Sequence, residues 1–188
     1  MMKIVELKAE DKERVEQAAQ ILVAAFAKHF PDAWPTIEDA HEELEECLES
    51  ERVVRIALDE NDKMLGWIGG RPDYDGHVWE LHPLAVAPAA QRQGVGRALV
   101  ADLEEIVREK GAMTVYLGGD DESNQTTLGG IDVYPNLLEK IAQIKNLNDH
   151  QYTFYEKCGY QIVGILPDAN GFGKPDIFMA KRVGSLPK

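Results

Sequence analysis

The feature that most constrains this chain is a junction. An apolar run, PLAVAPAA (83–90), leads into QRQGVGRAL (91–99) and then into a long amphipathic stretch. Such a run followed by helical spacing commits this region to a strand feeding a helix, and so to an α/β architecture. Gly94 and Gly96 stand where the helix begins. Glycine in a helical turn costs about 1 kcal/mol relative to alanine, so two of them imply that something comes close to that backbone.

The rest of the chain supplies elements on both sides of the junction. KIVELK (3–8) reads as a first strand. Val15, Ala18, Leu22, Ala25 and Phe26 share a helix face within 11–29, and Pro31 and Pro35 break the pattern. A second helix restarts with Thr36 as N-cap and Ile37, Ala40, Leu44 and Leu48 on one face; its other face is a glutamate run. RVVRIALD (52–59) and MLGWIGG (64–70) form a hairpin across ENDK. HVWELHPLAVA (77–87) is a strand that must bulge or part at Pro83, because proline donates no ladder hydrogen bond. The helix after the glycines buries Val95, Leu99, Leu103, Ile106 and Val107 and stops near Lys110, with Gly111 just beyond it. MTVYLGG (113–119) is a strand. A polar loop follows, then a helix over 136–146 and a short helix ending at Gly159; YQIVGIL and DIFMAKRV are the last strands. The expectation is one mixed sheet within a single domain over 1–188.

Composition narrows the function. The chain has 188 residues and a net charge of −13, which argues against nucleic acid and anionic membranes and is compatible with a cationic partner. No apolar run is long enough to span a bilayer, and the N-terminus has no signal-peptide core; a cytoplasmic setting is expected. Two cysteines and five histidines without paired-ligand spacing predict neither a disulfide framework nor a metal site.

The glycine junction has few candidate guests. Gly96 is followed by Arg97 and Ala98, which excludes a Walker A loop, and Leu99 occupies the third glycine position of a dinucleotide fingerprint. The unpaired N–H groups of a helix start favour an anion, and Arg92 and Arg97 add positive charge to an acidic chain. A pyrophosphate suits these features.

LAVAPAAQRQGVGRAL (84–99) resembles the acyl-CoA-binding motif of the GCN5-related N-acetyltransferases (GNAT), with Gln91, Gly94 and Gly96 at its defining positions. WELHPL (79–84), YLGGDD (116–121), TTL (126–128) and FYEKCGYQIVGILPDANGFGKPDIFMAK (154–181) are similar to the branch that acetylates the 6′-amine of aminoglycosides. The resemblance implies a centrally splayed sheet of about seven strands flanked by helices, acetyl-CoA as co-substrate, and a homodimer. It places the CoA pyrophosphate on backbone amides of Arg92, Gln93, Gly94, Val95, Gly96 and Arg97, with Gln91 in the motif and Leu84 and Val86 beside the pantetheine arm. GG at 118–119 and GGID at 129–132 depart from the branch pattern.

Amine acetylation requires a neutral nucleophile, a stabilised oxyanion and a protonated leaving thiol. A strand parted at Pro83 can free a backbone donor, which the resemblance puts at Leu84. Glu80 and His82 share a strand face by period two, and either can take the ammonium proton; the resemblance points to Glu80. Tyr155 matches the family's thiol-protonating position, with Tyr152 and Phe154 as competitors by sequence. Asp120, Asp121 and Glu122 are expected to draw in a polycation, helped by Glu43, Glu46, Asp168 or Asp176. Cys158 has no positioned base in the sequence, so direct transfer in a ternary complex is expected. The alternatives are transfer to a polyamine or a protein lysine, and a CoA-binding module without turnover.

Overall fold

The computed structural model describes residues 2–185. In chain order the elements are β1 (Lys3–Glu6), α1 (Lys12–Phe26), α2 (Ile37–Cys47), β2 (Val53–Leu58), β3 (Met64–Asp73), β4 (Val78–Val86), α3 (Val95–Glu109), β5 (Thr114–Leu117), α4 (Leu137–Ala142), α5 (Tyr152–Lys157), β6 (Gln161–Leu166) and β7 (Asp176–Arg182). The strands form one seven-stranded mixed sheet in the order β1-β2-β3-β4-β5-β7-β6, the α/β class read from the sequence. Contacts divide the chain into two compact units, residues 2–115 with 183–185, and residues 116–182. Among the described residues no helix is long and apolar enough to cross a membrane.

In the first unit, capping and apolar spacing place the helices. Asp11 caps α1 by accepting from the Arg14 amide at 3.2 Å. Thr36 and Asp39 form a capping box on α2: each side chain accepts from the other's backbone N–H, at 3.2 and 3.0 Å. Leu22, Leu44, Ile56, Leu58 and Trp67 are fully buried together between these helices and the sheet, each worth about 1.5–3 kcal/mol of apolar burial. Val95, Leu99, Leu103 and Val107 bury one face of α3, with Val100 rather than Ile106 as the fifth buried apolar residue. The Arg55 guanidinium grips Asp102 through two nitrogens at 2.6 and 3.2 Å, tying α3 to β2.

β1 to β4 run antiparallel in chain order. β3 is three residues longer than expected. Arg71, Pro72 and Asp73 pair with β4 alone, since the β2 pairing ends at Gly70; Pro72 therefore owes no hydrogen bond on that side. The expected interruption of β4 is present. Ile68 faces Leu84 and Gly70 faces Leu81, so Gly69 stands alone against His82 and Pro83. A Cβ at Gly69 would run into the His82 carbonyl oxygen.

In the second unit β6 and β7 form an antiparallel hairpin. α4 is shorter than the expected 136–146. It buries no residue, and the chain beyond it leaves the helix to meet residues 125–127. The amides of Thr127 and Lys145 donate to the Lys145 carbonyl and the Thr127 hydroxyl, both at 3.0 Å, and Leu147 donates to the Gln125 carbonyl at 2.8 Å. Gly159, with φ +93°, follows α5 as expected.

Replacing Gly69 by alanine forces β3 away from the His82 carbonyl. Chemical denaturation is expected to show a loss of roughly 1–3 kcal/mol, and an unchanged midpoint would disprove the close approach.

Candidate active site

The glycine junction lies in the first unit. A single 3-10 turn over Pro88–Ala90 leads to Gly94, the N-cap of α3, at φ +88°. Here the conformation, and not crowding, calls for glycine: a Cβ would meet nothing within 4 Å. Arg92 is left-handed too, at φ +60°. The side-chain amides of Gln91 and Gln93 brace the loop, donating to the carbonyls of Val86 at 3.1 Å and Ala89 at 2.8 Å. Gln91, Arg92, Gln93, Gly94 and Arg97 are exposed, Gly96 is half-buried, and the Val95 side chain is in the core. Val95 therefore offers a ligand only its backbone. Gly94 makes no side-chain cap hydrogen bond to α3, and the first-turn N–H groups of a helix lack intrahelical partners.

The strand feeding this turn has two distinct faces. Trp79, Leu81, Pro83 and Ala85 are buried, whereas Glu80, His82, Leu84 and Val86 alternate with them on the more open face. Arg71, directly across the ladder, pairs with Glu80 at 2.6 Å. That approach is an ion pair without hydrogen-bond alignment: Glu80 Oε2 is sealed from solvent and, among the described residues, accepts no hydrogen bond.

His82 meets Glu43 of α2, with Nε2 3.5 Å from Oε1. Burial of the ring opposes its charging, but Glu43, with Glu80 behind it, more than offsets this and raises the His82 pKa above 6.5. Burial likewise opposes ionisation of Glu43, yet His82, Cys47 and Trp34 hold it below the usual carboxylate range. The pair is intact between those two limits. Its stabilisation fades as pH rises through the raised His82 pKa, or falls through the lowered Glu43 pKa. Since 47% of the His82 side chain is exposed, the pair contributes no more than about 1 kcal/mol. Glu43, Glu46, Cys47, Arg52, Gly70, Arg71 and His82 line a pocket of about 70 Å³. Burial and the Glu43 charge push the Cys47 thiol far up, so it carries no nucleophilic thiolate.

In the second unit the acidic loop divides into different roles. Asp121 is a correction to the sequence reading. It is fully buried and accepts from the Gln125 amide at 2.5 Å, the Thr126 amide at 2.9 Å and the Thr126 hydroxyl at 2.7 Å. Its charge builds the loop instead of facing a substrate. Asp120 is half-buried and accepts from Asn170, whereas Glu122 is exposed. Asp168 accepts from the Gly173 amide at 2.7 Å, closing its own loop.

His150, which no motif announced, secures this loop. Nδ1 accepts from the Tyr152 amide at 3.1 Å, which leaves the hydrogen on Nε2 to donate to the Asp120 carbonyl at 3.2 Å. Burial lowers its pKa against the pull of Asp121.

Tyr155 is buried, edge-on to Phe154 and Tyr160 at 5.0 and 5.7 Å between ring centres. Burial, then Cys158, raises its pKa well above the usual phenol value, so it stays an O–H donor. Tyr152 is also buried, and Phe154 is half-buried.

Residues 16–129 match the model of the Acetyltransferase (GNAT) family. The chain belongs to that family. The matched region holds the Glu80–Val86 face and the glycine turn, and ends before Tyr155. Among solved structures, an aminoglycoside 6′-N-acetyltransferase complexed with coenzyme A is 39% identical, with 99% of both chains covered and a TM-score of 0.89. The aminoglycoside 6′-N-acetyltransferase from Enterococcus faecium gives 39%, 99% of both chains and 0.88. An aminoglycoside 6′-acetyltransferase of type Ii gives 34%, 98% of this chain and 99% of that one, and 0.74. A mycothiol acetyltransferase from Renibacterium salmoninarum is 29% identical over 114 residues, which are 57% of this chain and 34% of that protein. This GNAT chain thus spans about a third of that relative's length.

Asp121→Ala leaves two buried amides without an acceptor and is expected to lower unfolding stability by roughly 2 kcal/mol or more; Glu122→Ala is expected to stay within about 0.5 kcal/mol. Equal effects would contradict the division of roles. NMR of His150 is expected to show a neutral ring with hydrogen on Nε2 at pH 7, titrating below 6.5. A ring charged at pH 7 would contradict it. Because the folded-state pKa is depressed, its stabilisation is present above 6.5 and is lost as pH falls through the lower value.

Proposed function

We propose that this chain is an acetyl-CoA-dependent aminoglycoside 6′-N-acetyltransferase, one GNAT domain over residues 1–188 that transfers the acetyl group directly. The observation that carries the reading is one strand, β4. Glu80, His82, Leu84 and Val86 share its open face, and it leads into an exposed turn with a left-handed glycine opening α3. Whole-chain likeness to two 6′-N-acetyltransferases at 39% identity supports the acceptor class.

Acetyl-CoA, when bound, supplies the acyl group as an activated thioester. The backbone amides of Arg92 to Arg97 hold its pyrophosphate, Gln91 and Gln93 keep the loop in shape, and Leu84 and Val86 flank the pantetheine arm. The acceptor ammonium gives its proton to the Glu80–His82 face, and the neutral amine attacks the thioester carbonyl. The Leu84 N–H stabilises the oxyanion, at roughly 3 kcal/mol for one such donor. As the C–N bond forms and the C–S bond breaks, the departing sulfur takes a proton from a donor that the family resemblance assigns to Tyr155, and the second proton shed by the acylated nitrogen restores that donor.

Asp120 and Glu122 supply negative charge for a polycationic acceptor, in keeping with the net charge of −13. A cytoplasmic setting belongs to the same reading; a homodimer and antibiotic resistance as a consequence of turnover rest on the family resemblance.

Thiol release from acetyl-CoA across aminoglycosides, polyamines and basic peptides tests this directly. Turnover is expected with aminoglycosides bearing a free 6′-amine, with the double variant Glu80→Gln/His82→Gln lowering kcat/KM roughly 100-fold and Tyr155→Phe lowering kcat. Preference for polyamines or peptides would overturn the acceptor, and no release with any amine would overturn the enzyme.

A further inference from the structure

Acetyl transfer requires a proton acceptor on the β4 face, and the pocket beside it contains a carboxylate that no motif marked. Glu43 reaches this pocket from α2. Its Oε2 accepts from the Trp34 indole N–H at 3.3 Å, and its Oε1 accepts from the Cys47 thiol at 3.3 Å. The same Oε1 lies 3.5 Å from His82 Nε2. Trp34 also contacts the His82 ring, with centres 5.9 Å apart. Only 17% of the Glu43 side chain is exposed, against 47% for His82. A braced, sheltered anion thus holds one nitrogen of a half-open imidazole. Glu80 is placed differently, with Oε2 sealed and paired to Arg71.

We propose that Glu43 is a positioning residue for acetyl transfer: it holds His82 by Nε2, so that Nδ1 takes the proton of the acceptor amine. This rests on the acetyl-transfer reading above and assigns the base within it. The neutral ring keeps its hydrogen on Nε2, toward Glu43. The acceptor's proton passes to Nδ1, the amine's electron pair forms the C–N bond, and Glu43 stabilises the resulting imidazolium, which afterwards returns its proton to solvent. The charges facing His82 are Glu43 from α2, Arg71 from β3 and Glu80 on β4 itself; the two acids favour the imidazolium and Arg71 opposes it. Glu46 and Arg52 line the same pocket.

The test pairs the pH profile of kcat/KM with an NMR titration of His82, for the wild type, Glu43→Gln, Glu43→Asp, His82→Gln and the double variant Glu43→Gln/His82→Gln. Glu43→Gln is expected to lower the His82 pKa and the acid limb of the profile together, and to cut the plateau roughly tenfold. Glu43→Asp is expected to recover part of both. Adding Glu43→Gln to His82→Gln is expected to cost nothing more. An unmoved acid limb, or the same loss in the His82→Gln background, overturns the positioning role while leaving acetyl transfer standing. If Glu43→Gln does not fold, Glu43→Asp decides: a joint shift of pKa and limb supports the role, and no shift overturns it. A wild type that acetylates no amine overturns the parent reading and this role with it.

Discussion

The close approach of Gly69 to the His82 carbonyl is the constraint on which the site depends. One residue of β3 faces two of β4, and the side-chain-free position leaves room for the offset. The extra residue interrupts the ladder just before Leu84, the position given the oxyanion donor, without disturbing the alternation that keeps Glu80, His82, Leu84 and Val86 on one face. Burial of Trp79, Leu81 and Ala85 on the opposite face anchors that alternation. A shift by one residue would send Glu80, His82, Leu84 and Val86 into the core.

Charge is organised with the same economy. A chain with net charge −13 does not simply display its acids. Asp121 is spent inside its loop, Asp102 holds Arg55, and Glu80 and Glu43 each meet a cation or imidazole on neighbouring elements. Glu122 is exposed, and the half-buried Asp120 accepts from Asn170. Buried acids here are hydrogen-bonded or paired, as the cost of an isolated internal charge requires.

Much of this was legible in the sequence, because strong local signals governed it. Period-two and helical spacing located β4 and α3, Thr36 announced a cap, and Pro83 announced a bulge. Tertiary contacts governed what the sequence did not disclose. The α4 segment carries helical spacing through Ile144, yet pairing of residues 145–147 with 125–127 ends it early. Asp120, Asp121 and Glu122 are adjacent acids with no local distinction; burial alone separates them. Glu43 sits in a run of glutamates that reads as a solvated face, and its contact with His82 spans 39 positions of sequence. No periodicity encodes such a pairing.

The central claim is that β4 and the glycine turn together bind a pyrophosphate-bearing thioester. Titration of isotope-labelled protein with acetyl-CoA, followed by amide NMR, reads that claim residue by residue. Saturable shifts are expected at the amides of Leu84, Val86 and Arg92 to Arg97. Undisturbed amides at these positions under excess ligand, or shifts confined to other parts of the chain, would contradict it.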